Sequence, residues 1–186
     1  LSGLHNQENL AAALLAGLAV NADIHQMETG LKHFKGLSHR IEPCGRVNGV
    51  RFYNDSKATN VDAVIRALES LAPETQTADA EKKIVLILGG RGKGTDFSQL
   101  SQAVEARVKA VVALGETRNN IIEALGSQVP CMAAADMAEA VQKSVENAVP
   151  GDRILLSPAC ASFDMYDNYA RRGDDFKQKV NGLEPV

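Results

Sequence analysis

The apolar run at residues 83–88 constrains the fold more than any other stretch of the sequence. After Lys83 it reads Ile-Val-Leu-Ile-Leu, without the polar alternation of a strand that has one face in water. Continuous runs of this kind are typical of strands in parallel sheets whose two faces are both covered. A second such run occupies residues 110–114. The sequence therefore predicts a mostly parallel sheet with helices on both faces.

Strand and helix patterns alternate along the chain after Pro43. We predict strands at residues 50–53, 83–88, 110–114, 129–132 and 153–156, and helices at about 61–71, 97–106, 118–125, 137–149 and 166–180. This alternation indicates an α/β, Rossmann-like fold with a mostly parallel sheet flanked by helices. Asn48-Gly49 is a strong hairpin signal between Arg46-Val47 and Val50. The hairpin strand is therefore predicted to form an antiparallel edge.

Residues 1–42 have a different pattern, with helices predicted at 5–21 and 24–34 and a segment marked by Gly36 and Pro43 behind them. Two helices of this size bury too little apolar surface to be stable alone. We therefore expect residues 1–42 to be the remnant of a preceding domain plus a linker, and residues 43–186 to form a domain. The start lacks an initiator methionine, and we interpret the chain as an excised fragment.

Composition excludes several functional classes. The net charge is −3, with 23 % charged and 45 % apolar residues, so no basic excess suggests a nucleic-acid partner. No apolar run reaches the ~18 residues of a membrane span, and no signal-peptide pattern is present. The three cysteines, Cys44, Cys131 and Cys160, lack metal-ligand spacing. We expect free thiols in a cytoplasmic protein that is a monomer and binds neither membrane nor nucleic acid.

Three polar loops follow predicted strands, at residues 54–60, 89–96 and 157–164. In a parallel sheet such loops meet at the carboxyl ends of the strands, where α/β proteins hold their ligands. Each loop leads into a predicted helix, whose N-terminal N–H groups favour anions. Thr59 or Asn60 is the expected N-cap of the helix after the first loop, and a purely structural loop is the alternative interpretation.

The loop at residues 89–96 is rich in glycine and carries Lys93. It does not match the phosphate-loop pattern G-x-x-x-x-G-K-[ST], because Gly94 follows the lysine. Glycines allow close approach to a ligand, and a lysine is a mobile point charge that suits a carboxylate or phosphate. The alternative is a solvated surface lysine.

The loop at residues 157–164 contains small residues, and Ser162 and Asp164 stand where the N-cap of the last helix is expected. Small side chains beside a helix N-terminus leave room for an anion, although capping alone also accounts for both residues. A nucleophilic role for Ser162 has no support, because G-x-S-x-G is absent. Tyr166 and Tyr169 could flank a ligand or form the inner stripe of the last helix.

Taken together, five motifs resemble the Mur ligase family. They are G-L-H-N-Q-E-N at 3–9, G-L-S-H-R at 36–40, N-D-S-K-A-T-N at 54–60, G-G-R-G-K at 89–93 and S-P-A-C-A-S-F-D at 157–164. The similarity runs in unbroken order through essentially the whole chain. The N-D-S-K-A-T-N and S-P-A-C-A-S motifs look specific to the member that adds D-glutamate to UDP-N-acetylmuramoyl-L-alanine. The opening histidine–asparagine motif is shared with folylpolyglutamate synthases.

The resemblance implies the C-terminal part of an ATP-dependent ligase of peptidoglycan precursor synthesis in the bacterial cytoplasm. In the family, ATP phosphorylates the substrate carboxylate and the amine of D-glutamate attacks the acyl phosphate. A central domain holds ATP on a phosphate loop, and the C-terminal domain brings in the amino acid. ATP and Mg²⁺ would serve the full-length enzyme, with none tightly bound by this chain and no metal site in it. The chain alone is therefore expected to be inactive.

The resemblance also assigns residues to ligands, although it identifies no certain catalytic residue. The residues expected to hold D-glutamate are Lys57, Thr59, Lys93, Ser162, Phe163 and Tyr169. Those expected near the nucleotide are Asn6, Asn9, His39, Arg40 and Asp55, with Asp55 at the ribose. UDP-N-acetylmuramoyl-L-alanine would be bound mainly by other domains.

Two alternatives remain at this stage. One is a stand-alone Rossmann-like module that binds a nucleotide or anion without chemistry. The other is the domain of a folylpolyglutamate synthase-like glutamate ligase, against which the motif at residues 54–60 argues. A longer parent chain with an upstream phosphate loop would favour the ligase.

Overall fold

The computed structural model describes residues 4–34, 36–71, 83–92 and 94–183, and side chains from residue 7 onward. Lys93 lies outside the described residues. Residues 74–81, whose polar sequence predicts a surface loop, also lie outside them. The same holds for the side chain of Asn6.

Seven helices and six strands make up the described part of the chain. The helices are α1 (Leu4–Ala19), α2 (Ile24–His33), α3 (Val61–Ser70), α4 (Ser101–Arg107), α5 (Arg118–Leu125), α6 (Met137–Glu146) and α7 (Tyr169–Asn181). The strands are β1 (Glu42–Val47), β2 (Val50–Asn54), β3 (Ile84–Gly89), β4 (Val108–Leu114), β5 (Cys131–Ala134) and β6 (Arg153–Leu156). A 3₁₀ turn, Phe97–Leu100, precedes α4.

The strands form one sheet in the order β1-β2-β6-β3-β4-β5. All neighbours are parallel except β1 and β2, which pair antiparallel around the turn at Asn48 and Gly49. Both turn residues have positive φ, 48° and 81°, as an Asn-Gly hairpin turn requires. The predicted α/β fold with an antiparallel edge strand is thus confirmed.

Helices cover the two faces of the sheet and create two apolar cores. Along β3, Leu86 and Leu88 enter the core under α3, α4 and α5, whereas Val85 and Ile87 enter the core under α6 and α7. All of these side chains are at 0 % exposure. Successive side chains of β3 point to opposite faces of the sheet, and both faces are covered by helices. The strand sequence is therefore apolar throughout.

Several predicted boundaries were wrong, and at the last helix the reason is local capping. The last helix begins at Tyr169 rather than 166, since the Asn168 side chain caps it by accepting from Arg171 N at 3.0 Å. Strand β5 lies two residues later than predicted, and α6 ends at Glu146 rather than 149. The expected N-cap of α3 is Asn60, which accepts from Ala63 N at 2.9 Å.

The N-terminal helices form a separate small pair. Met27 of α2 packs over Gly17 of α1, where a β-carbon would collide with the methionine sulfur. No residue of α2 is buried, and large apolar side chains such as Leu15 and Ile24 are exposed.

Candidate functional site

The loops that follow β3, β4 and β6 are bonded to one another at the carboxyl edge of the sheet. Gly89 N donates to Pro158 O at 2.8 Å, and Arg91 N donates to Ala161 O at 2.9 Å. Thr117 N donates to Gly90 O at 3.2 Å. The predicted gathering of the loops at 89–96 and 157–164 at this edge is therefore confirmed.

Two glycines allow these loops to approach closely. Gly90 has φ 141°, and a β-carbon there would collide with Ala161 O. Gly115 has φ 76°, and a β-carbon there would collide with the carboxylate of Asp164. The backbones could not meet in this way with larger residues at either position.

Arg172 of α7 forms hydrogen bonds to three of the loops and is only 1 % exposed. Its Nη2 donates to Ser56 O at 2.9 Å and to Cys160 O at 3.0 Å, and its Nε donates to Ser56 Oγ at 3.0 Å. Its Nη1 lies 3.3 Å from Ala161 O and 3.5 Å from Gly89 O. One guanidinium thus holds the loops after β2, β3 and β6 together.

Arg172 places a positive charge behind these loops. Burial lowers its pKa to about 10, so it remains charged at neutral pH. Among the described residues no carboxylate forms an ion pair with it, and its N–H groups point to carbonyl and hydroxyl oxygens. The sequence analysis missed this residue. The available signal was its spacing of four residues from Phe176 and eight from Val180, which puts an arginine on the apolar stripe of α7.

Asp55, predicted to approach a ribose, lies at the end of β2 and is 6 % exposed. Its Oδ2 accepts from Ser157 Oγ at 2.8 Å, and its Oδ1 accepts from Ile41 N at 3.2 Å. Burial raises the pKa of this carboxyl to about 7, against the smaller lowering effects of both hydrogen bonds and of Arg40. Asp55 therefore fastens the segment before β1 to the loop after β6.

His39, predicted near the nucleotide, is buried against β2 and α7. Its Nδ1 lies 2.9 Å from Asn54 Nδ2, and Asn54 Nδ2 also donates to Glu42 Oε2 at 3.1 Å. Gly173 brings the helix so close that a β-carbon there would collide with the His39 ring. His39 N donates to Glu42 Oε2 at 2.9 Å, and its φ is 63°. These contacts fix the segment that leads into β1.

Lys57 and Tyr169, both predicted to hold D-glutamate, are brought together. The Lys57 ammonium lies 4.1 Å from the centre of the Tyr169 ring, a cation–π contact. The same ring meets the His39 ring edge-on, with centroids 5.9 Å apart. Ser56 Oγ donates to Tyr169 O at 2.7 Å and thereby ties the start of α7 to this loop. Thr59 lies further along the loop and is exposed.

Ser162 and Phe163 lie in a tight turn after β6, in which Ser162 O accepts from Met165 N at 3.1 Å and Tyr166 N at 2.8 Å. Ser162 is 2 % exposed, and Phe163 is 58 % exposed. Neither Ser162 nor Asp164 caps α7, contrary to expectation. Tyr166 precedes α7 and donates to Asp175 Oδ2 at 2.7 Å. The two tyrosines therefore do not both lie on the inner stripe of that helix, which was one of the two interpretations.

The loops after β2, β3, β4 and β6 are called the loop cluster below. No contact that the structure describes brings the remaining predicted residues to it. Asn9 is exposed on α1, and Arg40 is exposed beside Asp55. Within the described ranges no group of three His, Cys, Asp or Glu side chains could hold a metal ion. In the same ranges, none of the helices has the length and apolar character needed to cross a membrane. The three cysteines are free, and Cys160 is buried.

The fold and the loop cluster define an α/β domain with a candidate ligand site at the carboxyl edge of its sheet. The family described as Mur ligase, glutamate ligase domain, matches residues 39–160. The chain belongs to this family.

Relatives of known name are similar over nearly the whole chain. The UDP-N-acetylmuramoylalanine–D-glutamate ligase of Pseudomonas fluorescens (strain Pf-5) is 46 % identical over 183 residues, which is 98 % of this chain and 40 % of that protein. The ligase of the same name from Desulfosudis oleivorans is 44 % identical over 180 residues, or 97 % of this chain and 37 % of that protein. The chain thus spans about two fifths of the length of these relatives.

Solved structures resemble the chain in fold. Folylpolyglutamate synthase of Mycobacterium tuberculosis, complexed with ADP, superposes with a TM-score of 0.72 at 16 % identity, over 100 % of this chain and 42 % of that one. The murein peptide ligase of Psychrobacter arcticus gives a TM-score of 0.60 at 18 % identity, over 100 % of this chain and 39 % of that one. At these identities the likeness concerns the fold alone.

Proposed function

We propose that this chain is the amino-acid-binding C-terminal part of an ATP-dependent ligase that joins D-glutamate to UDP-N-acetylmuramoyl-L-alanine. The reaction would pass through an acyl phosphate and serve peptidoglycan precursor synthesis in the bacterial cytoplasm. The observation that carries the proposal is the 46 % identity, over 98 % of the chain, to a ligase named for these two substrates. We further propose a division near residue 42, with residues 43–186 as the D-glutamate domain and residues 1–42 as part of the preceding domain.

The electrostatics of the loop cluster suit a dicarboxylate. Arg172 contributes a buried positive charge, and Lys57 adds an ammonium at the same edge beside the N-terminus of α7. Such a surface attracts an anion, while Ser162, Thr59 and backbone N–H groups offer donors for its oxygens. Lys93 completes the set as a sequence-based proposal.

For the nucleotide, the proposal remains with Asn6, Asn9, His39, Arg40 and Asp55. Arg40 is exposed and free to reach a phosphate, whereas Asp55 already accepts two hydrogen bonds and has only its remaining lone pairs to offer a ribose. The described residues contain no group of three His, Cys, Asp or Glu side chains that could hold a metal ion, and the 186 residues contain no phosphate-loop motif. Phosphoryl transfer would therefore depend on residues outside this chain, and we propose that the chain alone binds substrate without catalysing ligation.

An NMR titration tests this function. The ¹⁵N-labelled chain is titrated with D-glutamate, with L-glutamate as the matched control. We expect saturable shifts at the amides of Thr59, Ser162 and Tyr169 with the D-enantiomer and weaker shifts with the L-enantiomer. Shifts at this edge with a nucleotide alone, and none with D-glutamate, would instead favour a nucleotide-binding module.

A further inference from the structure

The turn that carries Ser162 and Phe163 is attached at both of its ends. At the first end, Ala161 O accepts from Arg91 N at 2.9 Å. At the second end, Asp164 Oδ2 accepts from Glu116 N at 2.9 Å. The two anchoring residues are themselves joined, because Arg91 Nη2 donates to Glu116 Oε1 at 2.9 Å. A closed ring of contacts therefore surrounds the turn.

Asp164 makes its attachment through a side chain, so the attachment depends on the residue type. The Ala161 attachment is made by backbone atoms and would survive most substitutions. The close approach of Gly115 allows the Asp164 carboxylate to reach the loop after β4. Removal of this carboxylate would leave the second end of the turn without its bond to that loop.

Helix capping does not explain why Asp164 occupies this position, because Asn168 caps α7. The other carboxylate oxygen, Oδ1, is buried and finds no hydrogen-bond partner among the described residues. A buried oxygen of this kind costs free energy. Arg172 and Arg91 attract the carboxylate electrostatically without forming an ion pair with it in the described part of the chain. Neither helix capping nor an ion pair accounts for the buried Oδ1, which favours a role for Asp164 in the site beside it.

The geometry points to Asp164 as a positioning residue for the amino-acid site, through the bond from Glu116 N that orients the Ser162–Phe163 turn. This inference rests on the proposed function, which makes the turn part of the D-glutamate site. A turn free at one end occupies its binding-competent orientation for only a fraction of the time. The apparent dissociation constant rises by the inverse of that fraction.

The test compares D-glutamate binding by NMR titration with thermal unfolding in four variants of this chain. Asp164→Ala removes the bond, and we expect binding about tenfold weaker. Asp164→Asn keeps an acceptor for Glu116 N and should bind within about threefold of wild type. Asp164→Glu keeps the charge on a longer stem, should weaken binding like the alanine variant, and serves if Asp164→Ala does not fold. Asp136→Ala is the matched control, because Asp136 also accepts a backbone N–H, from Glu139, at 2.9 Å.

A purely structural role predicts a different pattern. It would lower the unfolding midpoint of both alanine variants and leave the dissociation constant of the folded protein unchanged. Wild-type binding by Asp164→Ala or Asp164→Glu, or binding by Asp164→Asn as weak as that of the alanine variant, would overturn the positioning role alone. Absence of any D-glutamate binding by the wild-type chain would overturn the proposed function, and the positioning role with it.

Discussion

Two buried charged side chains, Asp55 and Arg172, organise the carboxyl edge of the sheet. Both connect loops, but they differ in electrostatic environment. The Asp55 carboxyl accepts two hydrogen bonds, and burial still raises its pKa. The Arg172 guanidinium donates its N–H groups to oxygens of three loops. Each should therefore affect stability in a way that can be measured without any ligand.

Asp55 should make stability depend on pH. Its pKa of about 7 in the folded state exceeds the ordinary value of 3.8, so between these values the folded chain holds a proton that the unfolded chain releases. Stability should consequently fall as pH rises through this window and level off above about pH 7. Asp55→Asn should remove this loss of stability, which amounts to up to roughly 4 kcal/mol across the whole window. Urea unfolding of the wild-type chain and of Asp55→Asn at several pH values measures this loss. The same pH dependence of the free energy of unfolding in both proteins would contradict the prediction.

Arg172→Lys should destabilise the fold by about 2–3 kcal/mol, because an ammonium cannot reach the oxygens that the planar guanidinium bonds and leaves some of them unpaired. Arg171→Lys is the matched control, since the adjacent arginine is exposed. Chemical denaturation measures both variants. Equal free energies of unfolding for the two variants would show that Arg172 does not clamp the loops.

In the full-length ligase that we propose, Lys93→Ala should raise the D-glutamate KM, measured by steady-state kinetics, about ten- to a hundredfold. This is the loss expected for one charge-assisted contact of roughly 1.5–3 kcal/mol. Nucleotide binding should be nearly unchanged. Lys93→Arg should restore binding only in part, because a planar fork does not match a point-charge site. Lys32→Ala, on exposed α2, is the control. Weakened nucleotide binding with intact D-glutamate binding would assign Lys93 to the nucleotide.

At the scale of elements, α7 packs against β1 and β2 through a helical glycine. A β-carbon at Gly173 would collide with His39 and approach both side-chain polar atoms of Asn54 within 2.9 Å. Gly30, inside α2, has nothing within 4 Å of the same position. Alanine substitutions at these two positions therefore distinguish the effect of packing on stability from the effect of helix propensity.

Gly173→Ala should lower the free energy of unfolding by about 1–3 kcal/mol, since the methyl group overpacks the helix–sheet contact. Gly30→Ala should be neutral or stabilising by up to about 1 kcal/mol, because alanine is the better helix former. Thermal and urea unfolding measure both. A stabilising Gly173→Ala would mean that α7 can shift away from His39 without cost.

At the scale of the whole molecule, burial is uneven between the N-terminal helices and the sheet. Every residue of β3 is buried, whereas α2 has no buried residue. Local opening requires less free energy where fewer apolar contacts must break. Amide hydrogens of the sheet are therefore expected to be better protected from exchange than those of the N-terminal helices.

Amide hydrogen exchange should be fast in α1 and α2 and slowest in β3 and β4. The physical reason is that exchange in the sheet requires unfolding of both cores, while the two-helix pair can open alone. Mass spectrometry of peptic fragments after deuterium labelling measures this. Protection of α2 equal to that of β3 would show that the N-terminal helices are held more firmly than their exposure indicates.

Much of this architecture could be predicted from local signals. The uninterrupted apolar run at β3, the Asn-Gly hairpin and the Asn60 cap of α3 all depend on residues within a few positions of each other. The late start of α7 could not be predicted, because Ser162, Asp164 and Asn168 are all capable caps. Asp164 instead accepts from Glu116 N, 48 residues away in the chain.

The sequence by itself determined the fold class, the antiparallel edge and the family, because periodicity and contiguous motifs are local properties of the chain. The tertiary structure alone revealed that Arg172 clamps three loops, that burial shifts the Asp55 pKa and that Asp164 ties the Ser162 turn to the loop after β4. These features join residues that are far apart in the chain. Their energies depend on distance and on exclusion of water, which only the assembled sheet and its helices define.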